Sequence, residues 1–323
     1  MTMTNIRFNM VNPEQNPAEM AERYRAMLDI AAAADAAGVS GITLEEHHGA
    51  ANGWSPTPLL NAGMILARTE SMLVSISALL LPLHEPIRVA EDIAVLDLVS
   101  GGRLVTIFGL GYRPSEYALL DKDWAGRGNL MDECLSTVMA AWTGEPFEFR
   151  GETVQILPKP ISEPHPMVMV GGTSRPAARR AARHGLPLFP AAHLPELEAY
   201  YYEKCEEYGT TGFVIMPSPK TKMMFVSLDP DATWAQHGQH FFHEASTYKG
   251  WQTADISSAV KSAAGNAEEL REEGIYVVMT PEEAIAEAAS AGNVVLHPLV
   301  GGMPVDAGWE CINLFLDEVL PNI

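Results

Sequence analysis

Apolar residues along the chain fall into two kinds of run that take turns. Residues 6–10, 42–44, 72–81 and 103–108 are short apolar, β-branched stretches and predict buried strands. Between them, residues 18–37, 59–67 and 87–99 carry apolar side chains at helical spacing. The punctuation agrees. Gly38 stands where a helix-ending glycine belongs, Pro86 sits at a first helical position, and Ser100-Gly101-Gly102 stops the helix that Pro86 begins. The alternation continues with strands at 167–170, 186–190, 222–227 and 293–296, and helices at 131–142, 176–183, 194–208, 281–289 and 309–319. Strand–helix units of about 35 residues predict an α/β fold, a (β/α)8 TIM barrel forming a single domain over residues 1–323. Two stretches are expected as insertions. Residues 147–157 read as a hairpin turning near Arg150-Gly151-Glu152, and residues 229–273 as a mostly helical segment placed to cover a site.

The strand at 42–44 ends abruptly in Glu45-Glu46-His47-His48, and ionisable residues crowded onto the end of a buried strand mark the mouth of a barrel. Neighbouring side chains on a strand face opposite ways, so one of the two histidines is expected to point inward. A neutral imidazole there serves as a general base or as a partner for a polar ring. A metal is the rival reading, but the HExxH spacing and a second ligand motif are missing, so no metal site is expected. A second locus is Gly171-Gly172-Thr173-Ser174-Arg175, after one strand and before a helix. Its glycines allow close backbone approach, the helix N-terminus favours an anion, and the two hydroxyls add donors. An ordinary Gly-Ser helix cap is the equal alternative. Arg175, Arg179 and Arg183 follow at a four-residue interval with Arg180 beside them, and a solvated helix face is expected for most of the four.

Gly109-Leu110-Gly111-Tyr112 lacks the third glycine of a dinucleotide fingerprint and reads as backbone approaching a flat ligand. His237, His240 and His243 recur at helical spacing and read as part of a packed amphipathic helix. Pro86, Ala90, Glu91, Asp92, Asp97 and Arg103 read as structural.

Composition narrows the partners more than the chemistry. With 323 residues, 47% hydrophobic and 19% charged, the chain has ample material for a core, and no apolar run reaches the ~18 residues of a membrane helix. Residues 1–10 lack the apolar region of a signal peptide. Cys134, Cys205 and Cys311 are far apart and odd in number, the pattern of reduced thiols in a cytoplasmic protein. A formal net charge of −20 argues against nucleic acid and anionic membranes as partners.

The segments LEEHHG, LPLHEPIRVAEDIAVLDLVSGGRL, GLGYRPSEY, the GGTS segment before its helix, and the closing HPLVGGMP and LFLDEVLP together resemble the bacterial luciferase-like family of flavin- and deazaflavin-dependent oxidoreductases. The likeness runs over nearly the whole chain. It implies a (β/α)8 barrel with an insertion, commonly a homodimer, whose flavin ring lies in the barrel mouth with its phosphate near strands five and six. On that likeness His47 matches the catalytic base. Ser77-Ala78 falls where the family carries a non-prolyl cis peptide behind the flavin ring. Gly171, Gly172, Thr173, Ser174 and Arg175 match the phosphate region, and Gly109 and Leu110 line the cofactor.

The chain also departs from the family. Leu110-Gly111 stands where luciferases carry a phosphate-binding arginine, Arg127 is one residue out of register with a second, and Gly109 replaces a reactive cysteine. The anion contacts must therefore be rearranged, and light emission from a long-chain aldehyde is not implied. His48, Trp54 and Tyr112, with Trp251, are expected to rim a substrate that is apolar or planar. The function implied is a monooxygenase acting on a small organic substrate with oxygen and reduced FMN, the latter supplied by a separate flavin reductase. Two alternatives stand beside it: a hydride-transfer enzyme using coenzyme F420, whose longer anionic tail the arginine stripe would serve, and a flavin-binding protein without turnover. A phosphosugar isomerase or metal hydrolase on the same barrel is not excluded by fold alone.

Overall fold

The computed structural model describes residues 2–218, 222–252, 258 and 260–323. In chain order the elements are β1 (Met3–Phe8), α1 (Pro17–Ala37), β2 (Gly41–Leu44), α2 (Pro58–Leu66), β3 (Leu73–Leu79), α3 (Pro86–Ser100), β4 (Leu104–Phe108), α4 (Pro114–Leu119) and α5 (Arg127–Trp142). Then come β5 (Phe147–Phe149), β6 (Glu152–Val154), β7 (Met167–Gly171), α6 (Arg175–Arg183), β8 (Leu188–Phe189), α7 (Pro195–Tyr208), β9 (Met223–Val226) and α8 (Pro230–Trp251). The last are α9 (Ala267–Glu273), β10 (Tyr276–Met279), α10 (Pro281–Ala291), β11 (Asn293–Leu296) and α11 (Val305–Leu314).

Proline and glycine set these boundaries. Among the described residues seven helices (α1, α2, α3, α4, α7, α8 and α10) begin on proline, whose missing N–H would have had no partner in the first turn anyway. Gly38 and Gly101 close α1 and α3 in the left-handed conformation, as the sequence predicts.

The strands form a nine-stranded sheet in the order β10-β9-β11-β1-β2-β3-β4-β7-β8 among the described residues, and every ladder in it is parallel. Its strands are apolar runs with helices packed against them, and Ile6, Phe8, Ile42, Leu44, Val74, Ile76, Phe108, Val170 and Leu296 are all buried. The expected α/β barrel is therefore what the chain builds, with one strand more than eight. The extra strand is β10, which pairs with β9 on the side away from β11, so strand order departs from chain order there. Its sequence, an apolar run between Gly274 and Pro281, carries a strand signal, but it falls in the short interval between the expected helical segment ending at 273 and the helix at 281–289, for which no element is expected. The predicted strand at 186–190 shrinks to β8, lengthened by a parallel bridge from Leu188 to Val214.

The crossover from β4 to β7 holds both α5 and the predicted hairpin. There β5 and β6 pair antiparallel, with Arg150 and Gly151 at positive φ (52° and 85°) in the turn. The short helix α4 was not anticipated; Pro114 starts it. In the second insertion α8 and α9 are helical as expected, while residues 253–257 and 259 of that stretch lie outside the described residues. α8 lies so close to the 300–302 turn that a Cβ on Gly301 would come within 1.8 Å of the His240 carbonyl oxygen. Only glycine allows that approach.

The structural assignments hold. Buried Asp97 accepts from the amides of Ile161 and Ser162 (both 2.8 Å), and Arg103 donates to the carbonyls of Leu66, Thr69 and Met72. All three cysteines are free and buried, and burial pushes Cys134 up to about 11 and Cys311 up to about 12. Among the described residues no helix is long and apolar enough to cross a membrane.

Candidate active site

The carboxyl ends of the parallel strands collect the ionisable residues. After β2 the chain folds back: the His47 amide donates to Ser55 O (3.0 Å) and the Ser55 amide to Asn9 O (2.8 Å), which brings Trp54 over the end of the strand. His47 is buried at 5% exposure. Its Nδ1 lies 2.8 Å from Glu116 Oε1, and its Nε2 lies 3.1 Å from the Tyr112 hydroxyl. An ionised carboxylate can only accept, so Nδ1 carries the proton and Nε2 is left to accept from Tyr112 or to take a proton. Glu116 is fully buried and its Oε1 also receives the His48 amide and Arg113 Nη1, each at 2.9 Å. Burial alone would raise the Glu116 pKa, but the His47 and His48 hydrogen bonds and the Arg113 charge hold it below the ordinary value. Burial, followed by the charges of Glu45 and Glu116, pushes the Tyr112 phenol well up, so it stays a donor.

Aromatic rings wall this pair. The His47 ring meets Trp54, Tyr112 and Trp251 at centroid distances of 5.3, 5.5 and 4.7 Å. Arg113 lies over the Trp251 ring at 4.0 Å, which adds a cation–π contact to the closure.

Beneath lies a buried polar network that fastens α8 to the barrel. Arg7 pairs with Glu45 and, at 3.0 Å, with Glu244 of α8, and donates to the Tyr248 hydroxyl at 2.9 Å. Glu45 accepts from Trp54 Nε1 (3.1 Å) and Tyr248 (3.0 Å). Glu244 accepts from Tyr276 (2.9 Å), Asn9 (2.7 Å) and His297 Nε2 (2.8 Å). Glu46 faces elsewhere. Its Oε1 meets His48 Nε2 at 2.9 Å and His84 Nε2 at 2.6 Å, and its Oε2 accepts from the Leu80 amide at 2.5 Å. Burial opposes its ionisation, yet the two histidines and that amide bring its pKa to about 2.

The residues singled out in the sequence divide accordingly. His47, Trp54, Tyr112 and Trp251 come together. The two histidines do face opposite ways, and His48 turns from the His47 pocket to Glu46, which corrects its expected place on the substrate rim. The Ser77–Ala78 peptide is cis. Gly109 packs against it so tightly that a Cβ would lie 2.7 Å from that of Ala78. Leu110, half-buried, accepts from the Tyr117 hydroxyl through its carbonyl (2.5 Å).

At the end of β7, Gly172 adopts a φ of 136°, Thr173 is half-buried, and Ser174 caps α6 by accepting from the Ala177 amide (3.5 Å). Arg175, Arg179 and Arg183 face solvent, with Arg175 over the Tyr200 ring at 5.0 Å. Arg180 turns inward to Asp132 (2.5 Å) and Gly128 O (3.1 Å). Arg127 stacks on Trp124 at 3.7 Å and donates to its carbonyl at 2.7 Å. The histidine stripe packs as expected: His240 Nδ1 lies 3.2 Å from Gly301 O, His243 Nε2 lies 3.1 Å from Asn52 Nδ2, and burial lowers both pKa values.

Glu116, Arg113, Glu244 and Tyr248 were missed. An arginine and a glutamate three residues apart just past a strand end were visible for the first two. Nothing local marked the others.

The donor set fits a flat, anionic cofactor. Arg127 Nε is a buried donor without a hydrogen-bond partner among the described residues, and Glu116 Oε2 is a buried acceptor without one that suits an N–H of a ring rather than an anion. Ser77-Ala78, Gly109 and Gly172 present close-packed backbone at neighbouring strand ends. Fold and site thus define an α/β barrel protein with a carboxylate-held histidine at its mouth. The chain belongs to the luciferase-like monooxygenase family, whose model matches residues 5–292.

It is 24% identical over 187 residues to the oxygenase component of the flavin-dependent trigonelline monooxygenase of Acinetobacter baylyi, covering 56% of this chain and 51% of that one. The chain spans about half the length of the curated relatives it matches, between 50% and 51% of two of them. Among solved structures it resembles monooxygenase RslO1 from Streptomyces bottropensis, with a TM-score of 0.74 at 21% identity over 99% of both chains. It also resembles an F420-dependent secondary alcohol dehydrogenase, with a TM-score of 0.66 at 18% identity over 99% of this chain and 98% of the other. Those two likenesses concern the fold.

Proposed function

We propose that this chain is a flavin-dependent monooxygenase that acts on a small organic substrate with oxygen and reduced FMN, the latter delivered by a separate reductase. The observation that carries the proposal is the His47–Glu116 pair, buried under aromatic rings at the strand ends. His47 Nε2 is the atom that exchanges a proton with substrate or cofactor. Glu116 fixes the tautomer that leaves Nε2 free and stabilises the imidazolium when it forms. Tyr112 supplies a hydrogen bond to the same nitrogen, and Trp54 and Trp251 keep water from it. When bound, the reduced flavin supplies the electrons with which oxygen is activated. Ser77, Ala78 and Gly109 would back its ring; Gly171, Gly172, Thr173 and Ser174, with Arg127 and Arg175, would take its anionic group. The relative's designation as an oxygenase component supports a two-component system.

A deazaflavin hydride-transfer enzyme is the second reading, favoured by the full-length likeness to the F420-dependent dehydrogenase. Arg179 and Arg183, exposed further along α6, speak against a role for the stripe as a whole inside the mouth, which leaves Arg175 beside the loop. A homodimer is the expected assembly, supported by exposed Leu60 of α2 and exposed Val95, Leu98 and Val99 of α3.

The deciding experiment is an anaerobic titration with reduced FMN and, separately, reduced F420, followed by rapid mixing with oxygen. Micromolar binding of reduced FMN and slowed, multiphasic reoxidation of the bound cofactor are expected. Tight deazaflavin binding with FMN reoxidation no different from that in buffer would overturn the proposal.

A further inference from the structure

We propose that Glu46, His48 and His84 form a binding site for one divalent transition-metal ion of borderline softness, Zn2+ foremost, beside the His47–Glu116 pair. Two imidazoles and one carboxylate form a donor set that Zn2+ accepts while keeping further positions for water. The three potential ligand atoms lie within 4.8 Å of one another, and among the described residues this is the one His/Cys/Asp/Glu trio so arranged. Ligands at ordinary Zn–N and Zn–O distances stand about 3.3 Å apart around a tetrahedral ion. The present separations of 2.9 Å (His48 to Glu46) and 2.6 Å (His84 to Glu46) therefore need to open by only some tenths of an ångström.

The geometry is prearranged rather than floppy. Glu46 is 2% exposed and its second oxygen is held by the Leu80 amide, so the carboxylate cannot swing away. The histidine side chains remain 15% and 25% exposed, which leaves a path for the ion and its waters. Both present the same ring nitrogen, Nε2, to one oxygen. On binding, each Nε2 gives up the proton it now offers Glu46, either to its own Nδ1 or to solvent. His48 joins the two clusters, since its side chain reaches Glu46 while its amide donates to Glu116. The inference does not depend on the flavin reading, because it concerns the apoprotein and one added ion.

The full-length protein, stripped with chelator, is titrated with Zn2+ by calorimetry and with Co2+ by visible absorption. One ion per chain with micromolar or tighter affinity and Co2+ ligand-field bands are expected. His84→Gln, at a position whose side chain is one-quarter exposed, should weaken Zn2+ binding at least about tenfold while circular dichroism stays native. His237→Gln, at a half-buried position of α8 outside the Glu46–His48–His84 cluster, should leave it unchanged. Absence of binding at a hundred micromolar Zn2+, or binding that survives His84→Gln, would overturn the proposal. Co2+ bands that survive His84→Gln would do the same.

Discussion

Replacing Arg7 by methionine tests the network that fastens α8 to the barrel. The side chain keeps an unbranched apolar stem but stops short of the guanidinium, so the buried carboxylates of Glu45 and Glu244 lose the charge between them. Removing one partner of a buried ion pair costs roughly 3–5 kcal/mol. Glu244 retains donors from Asn9, Tyr276 and His297, and Glu45 retains Trp54 and Tyr248, which places the loss near the lower figure. At about 2 °C per kcal/mol for a large domain, Tm should fall by roughly 6 °C.

The pH dependence fixes the cause. In the native protein burial works to raise the Glu244 pKa, but the charges of His297 and Arg7 hold it far below its ordinary 4.5. Its contribution is then fully present above the unfolded pKa and is lost as pH falls through the lower folded value. In the variant the Arg7 charge is gone while His297 and the Asn9 hydrogen bond still oppose burial, so the folded pKa rises toward its ordinary value and the contribution of Glu244 shrinks. Melting curves by circular dichroism should show a full gap to wild type above pH 4.5 that shrinks as pH falls below it. A loss under ~1 kcal/mol, or a gap that widens on acidification, would refute the electrostatic account. Adding Glu244→Gln to the variant should recover part of the loss.

Glu116→Gln should lower turnover on the order of 100-fold with little change in KM, because it disturbs the state of His47 rather than substrate contacts; an unchanged kcat would remove Glu116 from the mechanism. His48 should titrate above its ordinary 6.5: burial lowers its pKa, but the Glu46 hydrogen bond and charge outweigh it. That contact therefore stabilises the fold below about pH 6.5 and fades as pH rises through the higher folded value; NMR should show the His48 pKa dropping in Glu46→Gln. Leu98→Glu should convert a dimer to a monomer in light scattering without lowering helix content, and a monomeric wild type would dispose of the assembly expectation.

What could be read in the sequence was what short-range chemistry controls. Pro86 and Gly101 bound α3 because backbone sterics act within a residue or two, and β2 could be placed because its apolar run ends in four ionisable residues. β10 slipped past because its four residues follow acidic α9 with almost no interval. The site was half legible. His47 stood out by composition, but its partner Glu116 lies 69 residues away, on α4, and is selected only because the segments that follow β2 and β4 converge across the end of β3. Glu244 lies 237 residues from Arg7, on a helix whose buried face otherwise holds Trp234, Gly238, Phe241 and Ala245. A carboxylate on such a face has no local signature. Its meaning comes entirely from the charge it meets.

The helix α8 carries Glu244 locked into the barrel and, seven residues on, Trp251 leaning on His47. About two helical turns separate mooring from tip. Past Tyr248 the helix is held, among the described residues, by Lys249 on the Ala263 and Ala264 carbonyls and by the rings around Trp251, while a change at Glu244 leaves buried Arg7 short of a partner. A lineage that keeps the mooring is free to experiment at the tip with the molecules it admits. Divergence of preference in descendants of this chain should accumulate past residue 248, leaving the moored turns nearly fixed.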